Sequence, residues 1–464
     1  MFTVTIRSAS RVIQKEYQNK VLISRALADA GIKQNKPCGG NGLCGKCQVI
    51  ANGKPVLACV TEIDSDTQID YITHAAEVQG ITGGSTAEFI KNPLVSDGYA
   101  AAIDVGTTTI AAYIYSFPDG KCVKSAALPN PQAQFGADVI SRIDHYSRGG
   151  GDALKRCAWE QIQAITEGYP IKYYVLCGNT AMLHLLAGLD PSGIAASPFQ
   201  PETLFGTERG NCYYIPCISA YVGADITAAI LASGMKKDRC SLLVDIGTNG
   251  EMALWNEGRL TCCSTAAGPC FEGAEISCGV PAGAGAVNQV ETDGSSLRYS
   301  TIGGAPSTGL CGTGLIDAVA CMKKLSAIDE SGYLEQPFEI AGSGIFLAPE
   351  DIRKVQLAKS AVRAGIETLL TVSGVTYRDI ESFYIAGGFG SYINQESAAE
   401  IGLIPPELLP CAKAIGNAAG NGASMILQSL ACKDEAEETA ATAEVVELSS
   451  NKSFMDNYIE YMMF

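Results

Sequence analysis

The chain has 464 residues, 47% hydrophobic and 18% charged, which is enough to bury a sizeable core in each of two or three domains. The formal net charge of −16 argues against a nucleic-acid partner, because phosphate binding needs a basic surface. No apolar run is long enough to cross a bilayer, and residues 1–20 carry no export signal. The sequence therefore predicts a cytoplasmic protein with no membrane partner, whose 18 cysteines are thiols or metal ligands rather than disulfides.

The first predicted unit covers residues 1–78 and has the element order of a β-grasp ferredoxin. In chain order it contains a strand at 2–6, a second strand near 11–16, an apolar-periodic helix at 21–31, a cysteine-rich loop, and strands at 46–51 and 69–72.

The cysteine loop predicts a plant-type 2Fe–2S cluster held by Cys38, Cys44, Cys47 and Cys59. Such clusters take four thiolates, three of them from one loop, and the five-residue first gap is similar to that of hydroxylase ferredoxins. The glycines in PCGGNGLCGKC suit a backbone that wraps the cluster and turns its amides toward sulfur. The alternatives are a zinc site or buried thiols, but zinc sites usually show two Cys-x2-Cys pairs, and here there is one.

The other fourteen of the 18 cysteines are scattered along the chain. Cys262, Cys263, Cys270 and Cys278 could ligate a second cluster, because redox ATPases with bridging clusters exist. The simpler interpretation is that they are small buried side chains.

Residues 79–97 are rich in glycine and include Pro93, which predicts a short linker that keeps the small domain near the large one. Residues 98–432 then alternate apolar strands with helical segments, as in an α/β fold. This region looks duplicated, because residues 101–115 and 242–255 share an apolar strand, an aspartate, a Gly-Thr turn and a returning strand. The predicted halves are residues 98–237 and 238–432.

The two Gly-Thr turns predict a phosphate and magnesium site. Turn amides and threonine hydroxyls can surround phosphates, and Asp104 and Asp245 brought together could hold a hydrated Mg²⁺ ion. A single turn of this kind is often just a hairpin, whereas two in duplicated halves are more specific. The residues expected at the phosphates are Gly106, Thr107, Thr108 and Thr109 in the first turn, and Gly247, Thr248, Asn249 and Gly250 in the second.

Two further glycine turns complete the predicted nucleotide site. Gly387, Gly388 and Phe389 follow an apolar strand, and glycine there would let a flat base or ribose approach the backbone. Gly312, Thr313 and Gly314 open a helix whose free amides could bind phosphate, or they form a tight loop for packing.

The last segment, 433–464, begins with the acidic stretch KDEAEETAATAE, which predicts a solvated linker. A strand and an amphipathic helix follow and are expected to dock back on the preceding domain.

The nucleotide motifs resemble the superfamily of acetate and sugar kinases, heat-shock chaperone ATPases and actin. That resemblance implies two ribonuclease-H-like halves around an ATP cleft, with phosphates on the first two motifs and adenosine on the third. It also implies a water-positioning or base carboxylate near the helix VGADITAAI, for which Asp225 is the candidate. The alternative role of Asp225 is that of an ordinary first-turn aspartate.

Nearly the whole chain resembles reductive activators of corrinoid proteins, through PCGGNGLCGKC, AAIDVGTTT, CGNTAMLHLLAG, YVGAD, DIGTNGEMAL, AAGPCFEGAEI, GLCGTGLIDA and IAGGFG. The resemblance implies an ATP-hydrolysing iron–sulfur enzyme that reduces Co(II) corrinoid to Co(I). Its implied partners are a corrinoid protein of a methyltransferase system and a low-potential electron donor, and a homodimer stays open. Two alternatives remain at this stage: an ATP-dependent activator of a dehydratase or other low-potential enzyme, and a nucleotide-gated redox sensor without turnover.

Overall fold

In the computed structural model, the N-terminal unit is a five-stranded mixed sheet with one helix packed on it. The structure describes residues 1–7, 12–32, 47–70, 86–387 and 392–464. The elements of this unit are β1 (Phe2–Arg7), β2 (Val12–Tyr17), β3 (Val21–Leu22), α1 (Ile23–Asp29), β4 (Gln48–Ala51), β5 (Lys54–Leu57), β6 (Glu62–Ile63) and β7 (Thr67–Asp70). The strand order is β2-β1-β7-β4-β5, with β1 antiparallel to β2 and parallel to β7. This is the β-grasp arrangement that the sequence predicts.

Alternating side chains build the small core under this sheet. Phe2, Val4 and Ile6 of β1 are buried, and the residues between them are not, because successive side chains of a strand point to opposite faces. Helix α1 covers the same face with Ile23 and Leu27, which lie one turn apart.

The segment predicted as a linker is attached to the large unit over its described part. Residues 79–85 lie outside the described residues, but the amide of Ala87 donates to the carbonyl of Ala232 at 2.8 Å. The amide of Leu94 donates to the carbonyl of Leu427 at 3.1 Å, and Asn92 forms a parallel bridge with Ser429. The predicted short linker is therefore bonded along the large unit at Ala87, Asn92 and Leu94. The polar and glycine-rich composition of the segment gives no indication that its backbone groups pair with the ends of two helices.

The first half of the large unit contains a six-stranded sheet in the order β10-β9-β8-β11-β13-β12. Its elements are β8 (Gly98–Val105), β9 (Thr109–Phe117), β10 (Lys121–Pro129), α2 (Val139–His145), α3 (Gly151–Ile165), β11 (Ile171–Gly178), α4 (Thr180–Ala187), α5 (Ser192–Ala195), β12 (Thr207–Arg209), β13 (Cys212–Tyr214) and α6 (Ala224–Ser233). Strand β8 is the centre of this sheet and is apolar on both faces, as expected for a buried strand.

The second half contains a six-stranded sheet in the order β23-β22-β14-β15-β16-β24, together with smaller sheets. Its elements are β14 (Cys240–Ile246), β15 (Gly250–Asn256), β16 (Arg259–Thr265), β17 (Ala286–Thr292), β18 (Leu297–Thr301), β19 (Gly309–Leu310), α7 (Gly312–Lys324), β20 (Phe338–Glu339), β21 (Phe346–Leu347), α8 (Pro349–Ser373), β22 (Ser382–Ala386), α9 (Gln395–Glu400), β23 (Ala412–Gly416), α10 (Ala418–Gln428), α11 (Leu430–Thr442), β24 (Glu444–Val445) and α12 (Lys452–Glu460).

The two large sheets repeat one topology, which confirms the predicted duplication. In the first half β8 and β9 are antiparallel, and β11 lies parallel to the other edge of β8. In the second half β14 and β15 are antiparallel, and β22 lies parallel to the other edge of β14. The motifs that looked alike in sequence therefore end equivalent central strands.

Helices α6 and α10 are equivalent elements of the two halves, and they pack on each other at the junction. A Cβ atom added to Gly422 of α10 would lie 1.9 Å from the carbonyl oxygen of Ala228 in α6. Only glycine permits this approach, so the junction depends on a missing side chain. Helix α10 also packs on β8 and β11 of the first half.

The acidic segment predicted as a linker is instead helix α11. Alanine and glutamate are good helix formers, and Ser429 caps the helix by accepting from the amide of Cys432. Cys432, Ala436 and Thr439 are buried along one face, at the spacing of an amphipathic helix. The acidic composition suggested a solvated linker. The buried face of the helix was not apparent in the sequence, because its small side chains are not strongly apolar.

The end of the chain docks as predicted. Strand β24 adds to β16 in parallel, and α12 packs against α8. The buried Lys359 of α8 donates to the carbonyl of Tyr461 at 2.7 Å, and the Gln356 side chain donates to the carbonyl of Met462 at 2.8 Å. The last residues are thus bound through their backbone.

Within the described ranges, no helix combines the length and apolar character needed to cross a bilayer. No disulfide bond joins the cysteines of those ranges.

Gly422→Ala should lower the free energy of unfolding by about 2 kcal/mol, because the new methyl group must separate α6 from α10. Urea denaturation of the purified protein measures this change. The control is Gly342→Ala, which loses a glycine at φ +69° but has no heavy atom within 4 Å of the added Cβ. That control should cost only the strain of a left-handed residue, about 1 kcal/mol. A smaller loss for Gly422→Ala than for the control would contradict the packing argument.

Candidate functional site

The two predicted turns lie at the ends of the equivalent strands β8 and β14. The amide of Gly106 donates to the carbonyl of Thr109 at 2.9 Å, and the amide of Gly247 donates to the carbonyl of Asn249 at 3.0 Å. A Cβ on Gly106 would lie 2.8 Å from the Thr109 carbonyl oxygen, so the first turn requires glycine. Thr109 and Gly250 begin the returning strands β9 and β15.

The first turn is held by its carbonyl groups. The Asn130 side chain donates to the carbonyl of Gly106 at 2.8 Å, and the Asn130 amide donates to the carbonyl of Thr108 at 2.8 Å. The fully buried Arg142 donates to the carbonyl of Thr107 at 2.6 Å. In a trans peptide the C=O and N–H groups point in opposite directions. The hydrogen bonds that hold the carbonyls on one side of the turn therefore leave its amides pointing to the other side. Such an arrangement suits an anion.

Arg142 is held rigidly and cannot swing into the cleft without breaking buried hydrogen bonds. Its Nε donates to the carbonyl of Gly136 at 3.0 Å, and one Nη donates to the side chain of Gln132 at 3.3 Å. Burial lowers the pKa of Arg142 to about 10, which still leaves it charged at neutral pH. No sequence pattern indicated this residue, because a lone arginine in an amphipathic helix looks like a surface residue.

Glu272 connects the two turns across the two halves. Its Oε1 accepts from the hydroxyl of Thr248 at 3.0 Å, and its Oε2 accepts from the hydroxyl of Thr108. Glu272 ends a short 3₁₀ turn, Pro269–Glu272, that follows β16. The structure therefore brings the two predicted phosphate turns together, and the residue between them was not among those predicted.

A glycine lies at the end of the same parallel strand in each half, against the central strand. A Cβ on Gly178, the last residue of β11, would lie 2.5 Å from the carbonyl oxygen of Val105. A Cβ on Gly387, after β22, would lie 2.8 Å from the carbonyl oxygen of Ile246 and 2.8 Å from a carboxylate oxygen of Asp245. Gly387 thus lies beside the second turn, whereas Gly388 and Phe389 lie outside the described residues.

Three half-buried aspartates, Asp104, Asp225 and Asp245, form an acidic group on the floor of the cleft. Burial raises the pKa of Asp104 to about 6. Burial and then the charge of Asp104 raise the pKa of Asp225 to about 7. Burial, followed by the charges of Asp225, Asp104 and Glu272, raises the pKa of Asp245 to about 8.

Glu251 extends this group from β15, where it lies opposite Asp245 in the strand pairing. Glu251 is buried, and its pKa is raised well above the ordinary value by burial and then by Asp225 and Asp245. The side chain of Asn417, the N-cap of α10, donates to Asp104 at 2.9 Å. Neither residue was predicted, although Glu251 directly follows the second turn in sequence.

The acidic group fits a hydrated cation better than a directly ligated one. Among the residues that the structure describes, no three His, Cys, Asp or Glu side chains are placed to ligate one ion. Carboxylates whose pKa values are raised by one another gain from a nearby cation, and Mg²⁺ usually keeps several of its waters. Asp104 and Asp245 therefore remain the candidates for outer-sphere ligands.

Asp225 lies in the first turn of α6, and its carboxylate accepts from the amide of Ile226 at 2.9 Å. The ordinary helix-end role is thus present. The same side chain also faces Asp104 and Asp245, since their charges act on one another, so a role in the cleft is compatible with its position.

Gly312, Thr313 and Gly314 begin helix α7 as predicted, but they are buried against β17. The Thr313 hydroxyl donates to the carbonyl of Asn288 at 2.9 Å, and a Cβ on Gly314 would lie 2.2 Å from the carbonyl oxygen of Val287. These three residues are packed against β17, so only their backbone amides at the start of α7 remain as candidates for nucleotide binding.

Two of the four predicted cluster ligands lie in the described residues, and the fold brings their backbones together. Cys47 and Cys59 are both buried in the N-terminal core, and the amide of Ala58 donates to the carbonyl of Cys47 at 3.0 Å. The carbonyl of Ala58 in turn accepts from the amide of Ser24 at 2.8 Å. Cys38 and Cys44 lie outside the described residues. The two described cysteines fit a shared cluster.

The structure does not support a second cluster at Cys262, Cys263, Cys270 and Cys278. Cys262 and Cys263 are neighbours on β16, and their side chains enter different cores on opposite faces of the sheet. They cannot ligate one cluster together.

Two family models match consecutive parts of the chain. A model of the RACo middle region matches residues 99–238, and a model of the C-terminal domain of RACo, the ASKHA domain, matches residues 239–464. The division falls between α6 and β14, where the second of the duplicated sheets begins.

Curated relatives and a solved structure are similar over long stretches. The corrinoid activation enzyme RamQ of Eubacterium limosum is 29% identical, over 96% of each chain. The [Co(II) methylated amine-specific corrinoid protein] reductase of Methanosarcina barkeri is 27% identical, over 66% of each chain. The solved structure of a reductive activator for corrinoid, iron-sulfur protein is 26% identical, with a TM-score of 0.73 over 100% of this chain and 98% of that chain.

The acidic group predicts that the nucleotide-free and metal-free protein loses stability as the pH rises from about 5 to 8. The folded pKa of Asp245, about 8, lies above its ordinary value of 3.8, so between these pH values the folded state binds a proton that the unfolded state has lost. The contribution of Asp245 to stability must fall with rising pH in that window. Asp245→Asn should remove up to about 1.4 kcal/mol per pH unit of the decline.

Denaturation in EDTA at several pH values measures this effect. Asp119→Asn, in the exposed turn after β9, is the matched control and should leave the pH profile unchanged. Identical profiles for wild type and Asp245→Asn would show that Asp245 ionises normally.

Proposed function

We propose that this chain, which belongs to the RACo family, reductively activates a corrinoid protein by returning its cobalt from Co(II) to Co(I) with the use of ATP. The observation that carries the proposal is the union of a cysteine-loop β-grasp unit with a duplicated cleft whose two phosphate turns meet at Glu272. The relatives named for corrinoid activation and reduction support it, since their similarity extends over most of the chain.

The N-terminal unit would hold the redox centre. We propose a 2Fe–2S cluster ligated by Cys38, Cys44, Cys47 and Cys59, of which Cys47 and Cys59 are already held side by side by the backbone bond between Cys47 and Ala58. When bound, a plant-type cluster supplies single electrons at roughly −400 mV. The fold contributes the backbone positions of Cys47 and Cys59.

The large unit would bind Mg-ATP between its halves. The hydroxyls of Thr108 and Thr248 and the amides of both turns would bind phosphate, with Asp104 and Asp245 around the waters of Mg²⁺. Adenosine would lie near Gly387, whose backbone packs closely against Asp245 and Ile246 beside the second turn. Asp225, whose pKa of about 7 lies near the working pH, would position or deprotonate the attacking water.

The reason for combining the two units is thermodynamic. If the corrinoid potential lies below that of the cluster, each ~59 mV costs a factor of ten in the one-electron equilibrium constant. A nucleotide that binds one conformation of the cleft more tightly shifts the protein toward that conformation. This conformational shift can act on the bound corrinoid protein and favour a cobalt coordination that accepts the electron.

The proposed domain boundaries follow from this division of labour. Residues 1–78 form the ferredoxin-like unit, and residues 98–237 and 238–432 form the halves of the ATPase. Helix α11 and the C-terminal strand and helix then belong with the ATPase rather than with a linker. The proposed encounter with a low-potential donor and the corrinoid protein takes place in the cytoplasm.

Cys44→Ser should weaken or abolish the cluster, because it removes one of four thiolate ligands. Iron analysis and EPR after anaerobic purification and reduction measure this, with about two irons per chain expected for the wild type. Cys122→Ser is the matched control, since Cys122 is exposed in the large unit. Stoichiometric zinc without iron in the wild type, after expression with iron supplied, would contradict the assignment.

Asp245→Ala should lower ATP turnover about 10- to 100-fold, because it removes a proposed outer-sphere ligand of Mg²⁺. With reductant, Mg-ATP and its cognate corrinoid protein, the wild type should form Co(I), visible in the corrinoid absorption spectrum. The variant should keep a reducible cluster and form little Co(I). Removal of residues 1–78 should abolish Co(I) formation in the same assay. The proposal fails if no Co(I) forms while both the cluster and the ATPase of the wild type are active.

A further inference from the structure

Glu272 lies where the two phosphate turns face each other, although it belongs to neither of them. Its two carboxylate oxygens accept from the hydroxyls of Thr108 and Thr248, one oxygen for each half of the cleft. A carboxylate and a phosphate present similar charged oxygen acceptors. In the nucleotide-free protein, Glu272 therefore satisfies the groups that a phosphate would otherwise bind.

The position between the turns corresponds to the far end of the phosphate chain. Gly387 lies beside Asp245 in the second half, and the adenosine is proposed to bind there. Thr108 belongs to the opposite half, so a phosphate chain that starts near Gly387 reaches Thr108 last. The place occupied by the Glu272 carboxylate is thus that of the terminal phosphate.

We propose that Glu272 holds the place of the terminal phosphate of ATP and is a specificity-determining residue that only ATP displaces. The inference rests on the proposed function, since it concerns the regulation of the same nucleotide site. ADP lacks the phosphate that competes for Thr108, so it binds with Glu272 still bridging the two halves. ATP removes the bridge, and the cleft thereby distinguishes the two nucleotides.

The local structure allows the side chain to leave while its backbone stays. Phe271 and Cys270 are buried, and a Cβ on Gly273 would lie 2.3 Å from the carbonyl oxygen of Val280, so the segment is fixed on both sides of the carboxylate. The Glu272 side chain itself is only half-buried. A change of rotamer is enough to free both hydroxyls.

Charge gives the displacement its direction. The Glu272 charge contributes to raising the pKa of Asp245, so the carboxylate already acts on the acidic group of the cleft. A terminal phosphate would add further negative charge at the same place, and like charges repel at short range. The side chain must therefore move outward when ATP binds.

The test is a calorimetric titration of the full chain with Mg-AMP-PNP and with Mg-ADP. If the bridged state holds about 90% of the free protein, Glu272→Ala should tighten Mg-AMP-PNP about tenfold, because the competent fraction rises to nearly one. The dissociation constant of Mg-ADP should change less than about twofold in the same variant. Glu272→Gln, which keeps the shape but not the charge, should lie between the wild type and Glu272→Ala.

Glu275→Gln is the matched control, an exposed carboxylate three residues farther along the same loop, and it should leave both dissociation constants unchanged. An equal change for both nucleotides in Glu272→Ala, or weaker binding of Mg-AMP-PNP, would overturn the inference while leaving the ATP site in place. Failure of the wild type to bind Mg-AMP-PNP at all would overturn the proposed function together with it.

Discussion

The contact between Gly422 and the backbone of Ala228 is the constraint on which the site depends. Because no side chain stands between them, α6 and α10 can cross closely at the junction of the two halves. Each helix then delivers its N-terminal end to the acidic floor of the cleft. Asn417 at the start of α10 donates to Asp104 of the first half, and Asp225 in the first turn of α6 lies near Asp245 of the second. The acidic group of the cleft is thus assembled by helices from both halves, each of which reaches a residue of the other half.

This meeting of residues from both halves concentrates negative charge that the folded protein alone does not neutralise. Burial raises the pKa values of Asp104, Asp225 and Asp245, the charge of Asp104 adds to the rise for Asp225, and both of these charges add to the rise for Asp245. A group that opposes folding at neutral pH is retained when binding compensates for it, since a cation or Mg-nucleotide that prefers the folded state adds to stability. Arg142 interacts electrostatically with Glu272, but its hydrogen bonds fix it on the carbonyls of Thr107 and Gly136.

The sequence predicted the parts of this site that are contiguous in the chain. The strand, aspartate and Gly-Thr turn appear twice, so both turns, the duplicated halves and the position of Gly387 could be inferred. Glu272 could not, because its role arises from a contact with Thr108, 164 residues away. Arg142 and Asn417 escaped for the same reason. Composition misled where small residues form a buried face, as in α11, and where the backbone rather than the side chains makes the contacts, as between Leu94 and Leu427.

The chain that enters the large unit from the N-terminal side is bonded to both crossing helices. Ala87 donates to the carbonyl of Ala232 near the end of α6, whereas Leu94 donates to the carbonyl of Leu427 near the end of α10. The N-terminal ends of the same two helices lie at the cleft. Helix α6 therefore connects the acidic group with the bond from Ala87, and α10 connects it with the bond from Leu94. Any rotation of α6 against α10 that accompanies nucleotide binding must change the spacing between the two attachment points or break one of them. Residues 86–97, which lie between the N-terminal unit and the large unit in sequence, would therefore be the first to register such a rotation.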